Sequence, residues 1–254
     1  DLPRNFGAAR RQFLARALGA ALSGPNVVCV NSDFTGRRLA EHFDVDPARC
    51  FTVPPFVRAA DIGSAQAGSA APRYLFYPAV TWPHKRHDFL VDVAERLAER
   101  HRGKPAAELR FVLCGAPGPA HAAVMERIAR SPAAGRFSHL GRVDAGRLAG
   151  LYRRAEALVF PSEYEGLGQP PLEAMAHGCP VLAGDHEALA ETVGAGGEVL
   201  PPDADVWAAA VVGLAEPATR ARLVDAGRAR AAEFTPQRTA AAQLDAYRAA
   251  GPAR

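Results

Sequence analysis

Apolar residues recur at helical spacing over residues 8–22, and the pattern stops at Gly24-Pro25, a pair that ends helices. A short β-branched run at 26–30 predicts a buried strand. Ser32 then stands where a hydroxyl can cap a helix through 34–43. Residues 50–53 predict a second strand, closed by Pro54-Pro55. The segment 61–72, "DIGSAQAGSAAP", is small and polar without a period. That composition predicts a linker.

From residue 74 the alternation becomes regular. Segments at 74–79, 109–115, 137–141, 157–162, 180–184 and 197–201, most of them rich in apolar residues, predict strands. Helical spacing follows them near 87–101, 119–130 and 145–155, with Asp144 as a fitting N-cap, then from Pro171 and near 186–193. Three further helical segments run to the end, and no internal repeat is visible. Strand–helix alternation with apolar strands predicts an α/β fold with a doubly wound parallel sheet.

Composition changes this picture little. Of 254 residues, 48% are hydrophobic and 22% charged, as in an ordinary globular chain. The formal net charge is only +3, so no strong field for nucleic acid or a membrane surface is implied. The arginines fall in Ala-rich helical segments and are expected on solvated faces. Cysteines stand at 29, 50, 114 and 179 without a CxxC pair. We expect buried thiols in a reducing cytosol rather than disulfides or a zinc site. No run is long and apolar enough to span a bilayer, and no signal-peptide pattern is present.

The stretch "EYEGLGQPPLEAMAHGCPVL", 163–182, concentrates the chemistry. It follows a predicted strand, and ligands of doubly wound sheets bind at strand carboxyl ends with anions at helix N-termini. Glu165 lies in the loop, and Glu173 is expected in the first helical turn. Pro170 and Pro171 suit that turn, where N–H donors are unpaired anyway. Glycines 166 and 168 let the backbone approach a ligand closely. The acid spacing alone proves little, since Glu173 could simply favour the helix dipole.

The whole stretch resembles the signature of retaining GT-B glycosyltransferases of family 4, E-G-F-G-L-P-x-L-E-A-M-A-x-G-x-P-V. Here it reads Glu165-Gly166-Leu167-Gly168-Gln169-Pro170-Pro171-Leu172-Glu173-Ala174-Met175-Ala176, then Gly178, Pro180 and Val181. The likeness extends over most of the chain. Residues 27–57 are similar to the closing part of the family's first domain. "FYPAVTWPHKRH", 76–87, is similar to the first strand and phosphate loop of the second. Residues 139–162 resemble the segment lining the nucleotide base, and the helix near 236–249 the one that crosses back onto the first domain.

The resemblance implies a GT-B fold with a partial first domain at 1–57, a linker at 58–72, a nucleotide-sugar-binding Rossmann-like domain at 73–235 and a crossing helix at 236–254. It makes Glu165 the sugar-facing acid and Lys85 the holder of the donor diphosphate. Glu173 would take the ribose hydroxyls, and the backbone at Gly166, Leu167 and Gly168 the sugar and β-phosphate. Val143 and Asp144 lie where relatives touch the base, although an Asp N-cap is an equal reading. His84 and Arg86 flank Lys85 as further donor contacts. Many relatives carry an Arg six residues before the Lys; here that position is Ala79, and either Arg86 replaces it or nothing does.

The implied activity is transfer of a hexose, mannose on the likeness of "WPHKRH", from a GDP- or UDP-sugar. The acceptor would be a glycan, a lipid-linked or a small molecule. The resemblance implies no metal and no cofactor, no nucleic acid, no transmembrane segment, and a cytoplasmic setting or the inner membrane face. The expected uncovered sheet edge makes a dimer a further expectation. Two alternatives stay open at this point: a nucleotide-sugar-binding module without transfer, and a GT-B sugar-nucleotide epimerase.

Overall fold

A computed structural model describes residues 7–24, 27–57 and 74–251. The expected linker at 58–72 lies outside the described residues. Among the described residues two parallel sheets are formed. The smaller pairs β1 (Val28–Val30) with β2 (Cys50–Thr52), with Val28 opposite Cys50. Helix α1 (Ala8–Leu22) precedes it, and α2 (Asp33–Phe43) crosses between its strands.

The larger sheet has six strands: β3 (Tyr74–Pro78), β4 (Arg110–Cys114), β5 (Phe137–His139), β6 (Ala157–Phe160), β7 (Val181–Gly184) and β8 (Glu198–Leu200). Every pairing is parallel, in the order β5-β4-β3-β6-β7-β8. Helices α3 (His87–Arg100), α4 (His121–Ala129), α5 (Ala145–Arg154), α6 (Gln169–Ala176) and α7 (Glu187–Val193) connect them. Leu75, Phe76, Tyr77 and the whole of Ala157–Phe160 are fully buried, because helices cover both faces of a parallel sheet. The doubly wound α/β architecture is as the alternation predicts.

Strands β3 to β5 step outward one way, and β6 to β8 step the other way. The order therefore reverses between β3 and β6, which opens a crevice at their carboxyl ends. Gly115 makes that edge compact. It sits at φ +141, and a Cβ there would lie 2.4 Å from the carbonyl oxygen of Ala79. The loops after β3 and β4 can touch only because the side chain is absent.

After β8 come α8 (Ala204–Gly213), α9 (Pro217–Ala231) and α10 (Pro236–Ala250). Helix α10 returns to the small sheet, where Thr239 Oγ1 donates to the Pro54 carbonyl at 2.8 Å. Just before it, the Val57 N–H donates to the Phe234 carbonyl at 2.9 Å.

Two expectations need correction. Helix α6 begins at Gln169, two residues before Pro171, and has no acid in its first turn. Gly168 takes a left-handed φ of 100 and so starts the helix earlier. Glu173 consequently stands in the second turn. The thiols are not all buried either: Cys114 and Cys179 are, but Cys29 is exposed. β1 belongs to a two-stranded sheet, which cannot enclose both faces.

Candidate functional site

Lys85 ends a short 3-10 turn, Pro83–Lys85, just after β3. Its carbonyl accepts from the Tyr77 hydroxyl at 2.5 Å. Tyr77 is fully buried, and burial pushes its pKa well above the usual value, so the hydroxyl remains a donor. Glu165 follows β6, on the other side of the crevice. The two meet: Lys85 Nζ donates to Glu165 Oε1, with the side chains only 18% and 13% exposed. The ammonium also lies 5.5 Å from the Phe160 ring centroid, within cation–π reach. A cation and an acid thus span the switch point.

The loop carrying Glu165 is held by its carbonyls. The Gly166 carbonyl meets the hydroxyls of Ser32 and of Thr35, the latter at 3.0 Å. The next carbonyl, Leu167, accepts from Thr192 Oγ1 at 2.5 Å. Consecutive carbonyls are therefore fixed from opposite sides, by α2 and by α7. Phe34 of α2 packs edge-on against Tyr164 and His186, at centroid distances of 5.9 and 4.8 Å. Burial lowers the His186 pKa despite the acids nearby, so its ring is neutral at pH 7.

Glu173 projects from the second turn of α6. It accepts from the Tyr152 hydroxyl of α5 at 2.9 Å and from Gln169 Nε2 at 3.2 Å. Burial, with Glu173 beside it, raises the Tyr152 pKa well above its ordinary value. The hydroxyl therefore stays protonated and orients the carboxylate. Glu173 lines a cavity of about 510 Å³ between α6 and the segment after β2, whose walls include neither Lys85 nor Glu165.

The remaining expected residues are placed differently. Asp144 is exposed and caps α5, its Oδ1 accepting from the Arg147 N–H at 2.8 Å. The N-cap reading of Asp144 is thus realised. Val143 is half-buried against the core. The His84 carbonyl accepts from the Glu163 N–H at 2.9 Å, and its ring lies 6.3 Å from that of Trp82. Arg86, at φ 51, engages Asp88 at 3.4 Å and Glu163 at 3.6 Å and lies over the Phe89 ring. It borders a separate cavity of about 190 Å³ whose walls include neither Lys85 nor Glu165. Ala79 is 8% exposed, and its N–H donates to the Cys114 carbonyl at 2.8 Å.

Among the described residues no group of three or more His, Cys, Asp or Glu could hold a metal ion. No helix there is long and apolar enough to cross a membrane. Sequence reasoning missed Thr35, Tyr152 and Thr192, and Glu191, whose carboxylate accepts the N–H groups of Asp33 and Phe34 at the start of α2. Ser32 reads as a cap, which it is, but its bond to Gly166 spans 134 residues and leaves no local signal.

The crevice, the pair that spans it and the doubly wound sheet define an α/β domain of the GT-B type. A sucrose-phosphate synthase from Thermosynechococcus elongatus shares this fold. It superposes with a TM-score of 0.75 at 23% identity, over 93% of this chain and 61% of that one. The sequence profile described as "Glycosyl transferases group 1" matches residues 71–217, more than half of the chain. The chain belongs to the group 1 glycosyl transferases. Among curated relatives, O-antigen chain mannosyltransferase B of Escherichia coli is 25% identical over 94% of this chain and 65% of its own length. D-inositol 3-phosphate glycosyltransferase of Rhodococcus opacus is 31% identical over 84% of this chain and 51% of its own. The chain thus spans between half and two thirds of these relatives.

Proposed function

We propose that this chain is the donor-binding part of a retaining glycosyltransferase of family 4 that takes a hexose from a nucleoside-diphosphate sugar. The observation that carries the reading is the Lys85–Glu165 pair across the β3–β6 crevice. An ammonium has three donors, so Lys85 can hold Glu165 and a phosphate oxygen together. As the glycosidic bond breaks, the leaving diphosphate gains charge, and a fixed cation stabilises it more than the ground state. Glu165, oriented by Lys85, faces the sugar carbon as it becomes oxocarbenium-like. Retention follows if departure and attack share one face of the ring.

The diphosphate lies between Lys85 and the start of α6, with the backbone of Gly166, Leu167 and Gly168 beside the sugar. At that helix start Pro170 and Pro171 carry no N–H, so the donors there are the N–H groups of Gly168 and Gln169, which add to the attraction; the reading assigns no metal. Glu173 takes the ribose diol, while Val143 and Asp144 border the base. His84 shapes the Lys85 turn. Arg86 is committed to Asp88 and Glu163, so it does not replace the arginine missing at Ala79, and the phosphate charge falls on Lys85.

Mannose from GDP-mannose is the proposed donor group, supported by the "WPHKRH" likeness and by the mannosyltransferase among the relatives. The acceptor, whether glycan, lipid-linked or small, would meet the donor from the first-domain side. The proposed setting is the cytoplasm, at the inner membrane face for a lipid-linked acceptor. The buried Ala79 favours a second reading, a donor-binding module without transfer. Slow hydrolysis of bound donor would separate transferase from module.

Titration calorimetry of the chain with GDP, UDP and ADP tests the proposal. GDP should bind tightest. Tighter UDP binding overturns the donor, and no binding of any of the three overturns the site.

A further inference from the structure

The cavity beside Glu173 has two unlike walls. One belongs to α6 and carries the polar groups of Gln169 and Glu173 beside the apolar Leu172. The other is apolar and belongs to the segment after β2, with Val53, Pro54, Pro55 and Phe56. Its volume of about 510 Å³ lies within the roughly 300–1,000 Å³ usual for small-molecule sites. A nucleoside has the same division, since its ribose carries a diol edge and its ring faces are apolar. A bare phosphate would leave the proline–phenylalanine wall without a partner.

We propose that residues 53–57 are the second wall of a nucleoside subsite, with the Phe56 ring covering the nucleoside whose ribose faces Glu173. This rests on the donor-site reading above and adds to it residues outside the matched region 71–217. Phe56 is 45% exposed, unlike its neighbour Val57 at 9%. Its backbone is nonetheless anchored on both sides. The Val53 N–H donates to the Val30 carbonyl at 2.7 Å, and the Val57 N–H to Phe234 at 2.9 Å. The Pro54 carbonyl accepts from Thr239 between those points. A large apolar ring is thus presented to the cavity from a fixed strap, which costs little ordering entropy on binding. Asn31, whose Oδ1 accepts from Thr35, borders the same cavity and brings an NH₂ group to a base or ribose edge.

The test compares GDP and UDP with inorganic pyrophosphate, which has the diphosphate and no nucleoside. Phe56→Ala should lose about tenfold in GDP affinity, the usual scale for a lost base–aromatic contact, and keep its pyrophosphate affinity. Phe56→Trp should bind GDP and change its emission, relative to wild type, on adding GDP but not pyrophosphate. If Phe56→Ala binds GDP like wild type, or loses pyrophosphate equally, the strap is no nucleoside wall. Failure of the wild-type chain to bind any nucleoside diphosphate overturns the donor-site reading itself, and this inference with it.

Discussion

Glu191 reaches from α7 to the first turn of α2, where its two oxygens accept the backbone N–H groups of Asp33 at 2.8 Å and Phe34 at 2.9 Å. Ser32 takes the next N–H, that of Thr35, at 3.1 Å. The donors left unpaired at a helix start are thus met partly by a carboxylate 158 residues away in sequence. Glu191 is itself fixed, because Arg230 of α9 holds its carbonyl at 2.6 Å and that of Thr192 at 3.0 Å. This cation stands at the C-terminal turn of α7, where the dipole favours it.

Glu191→Ala should therefore loosen α2 without unfolding the six-stranded sheet. Each charge-assisted bond contributes about 1.5–3 kcal/mol, so amides 33–35 should exchange at least about tenfold faster. Hydrogen exchange followed by mass spectrometry measures this. Unaltered protection of α2 would show that the small sheet is held by other contacts.

The Lys85–Glu165 pair separates binding from chemistry. Lys85→Ala should weaken GDP binding by about 1.5–3 kcal/mol, the scale of a lost charged hydrogen bond. Glu165→Gln keeps the shape and the Lys85 contact but removes the negative charge facing the sugar. It should bind GDP nearly as wild type, yet slow sugar release from the donor by about 10²–10³, as when transition-state electrostatics are lost. Titration and a donor-hydrolysis assay read the two effects. Equal loss of binding in both variants would place Glu165 in nucleotide binding instead.

The centre of the sheet is readable in the sequence because β3, β6 and β7 are continuous apolar runs; β5 and β8, half-buried at the edges, mix polar residues in. The start of α6 falls two residues earlier than expected because a left-handed Gly168 can cap a helix that Pro171 alone does not mark. Lys85 and Glu165 can be singled out from their motifs, but their contact spans 80 residues and arises only from the strand order. The grip of Thr35 on Gly166 spans 131 residues and is invisible for the same reason. Tyr152 reads as an apolar position of α5, and its hydroxyl gains meaning only beside Glu173.

Stability should fall in mild acid through His87. This first residue of α3 is 1% exposed and packs against Tyr77 at 4.7 Å. Burial lowers its pKa from 6.5 to about 4. The unfolded chain takes up the proton near 6.5 and the folded one only near 4, so stability is complete above the first value and lost on approach to the second. The loss amounts to about 3 kcal/mol for this group. Burial also lowers His139 and His186, which adds to the slope with the same sign. Urea unfolding between pH 7.5 and 4.5 should show the decline, and His87→Leu should flatten part of it. A variant slope equal to wild type would exclude His87 as a contributor.

Tyr152 offers the finest test of the Glu173 role, because one oxygen can be removed without a cavity. Its ring is 1% exposed and packs edge-on against Phe76 at 5.2 Å and His177 at 5.5 Å. Tyr152→Phe preserves that packing. The lost partner, Glu173, is only half-buried, so water can reach its oxygen and the melting temperature should change little. The carboxylate, however, loses the donor that aims it. If it holds the ribose diol, GDP affinity should fall about five- to tenfold, the scale of one hydrogen bond, while pyrophosphate affinity stays constant. Restoring the hydroxyl should restore binding. A Tyr152→Phe chain with unchanged GDP affinity would mean that Glu173 needs no orientation or does not touch the ribose. Glu173→Gln then decides, since a ribose contact predicts further loss for GDP alone.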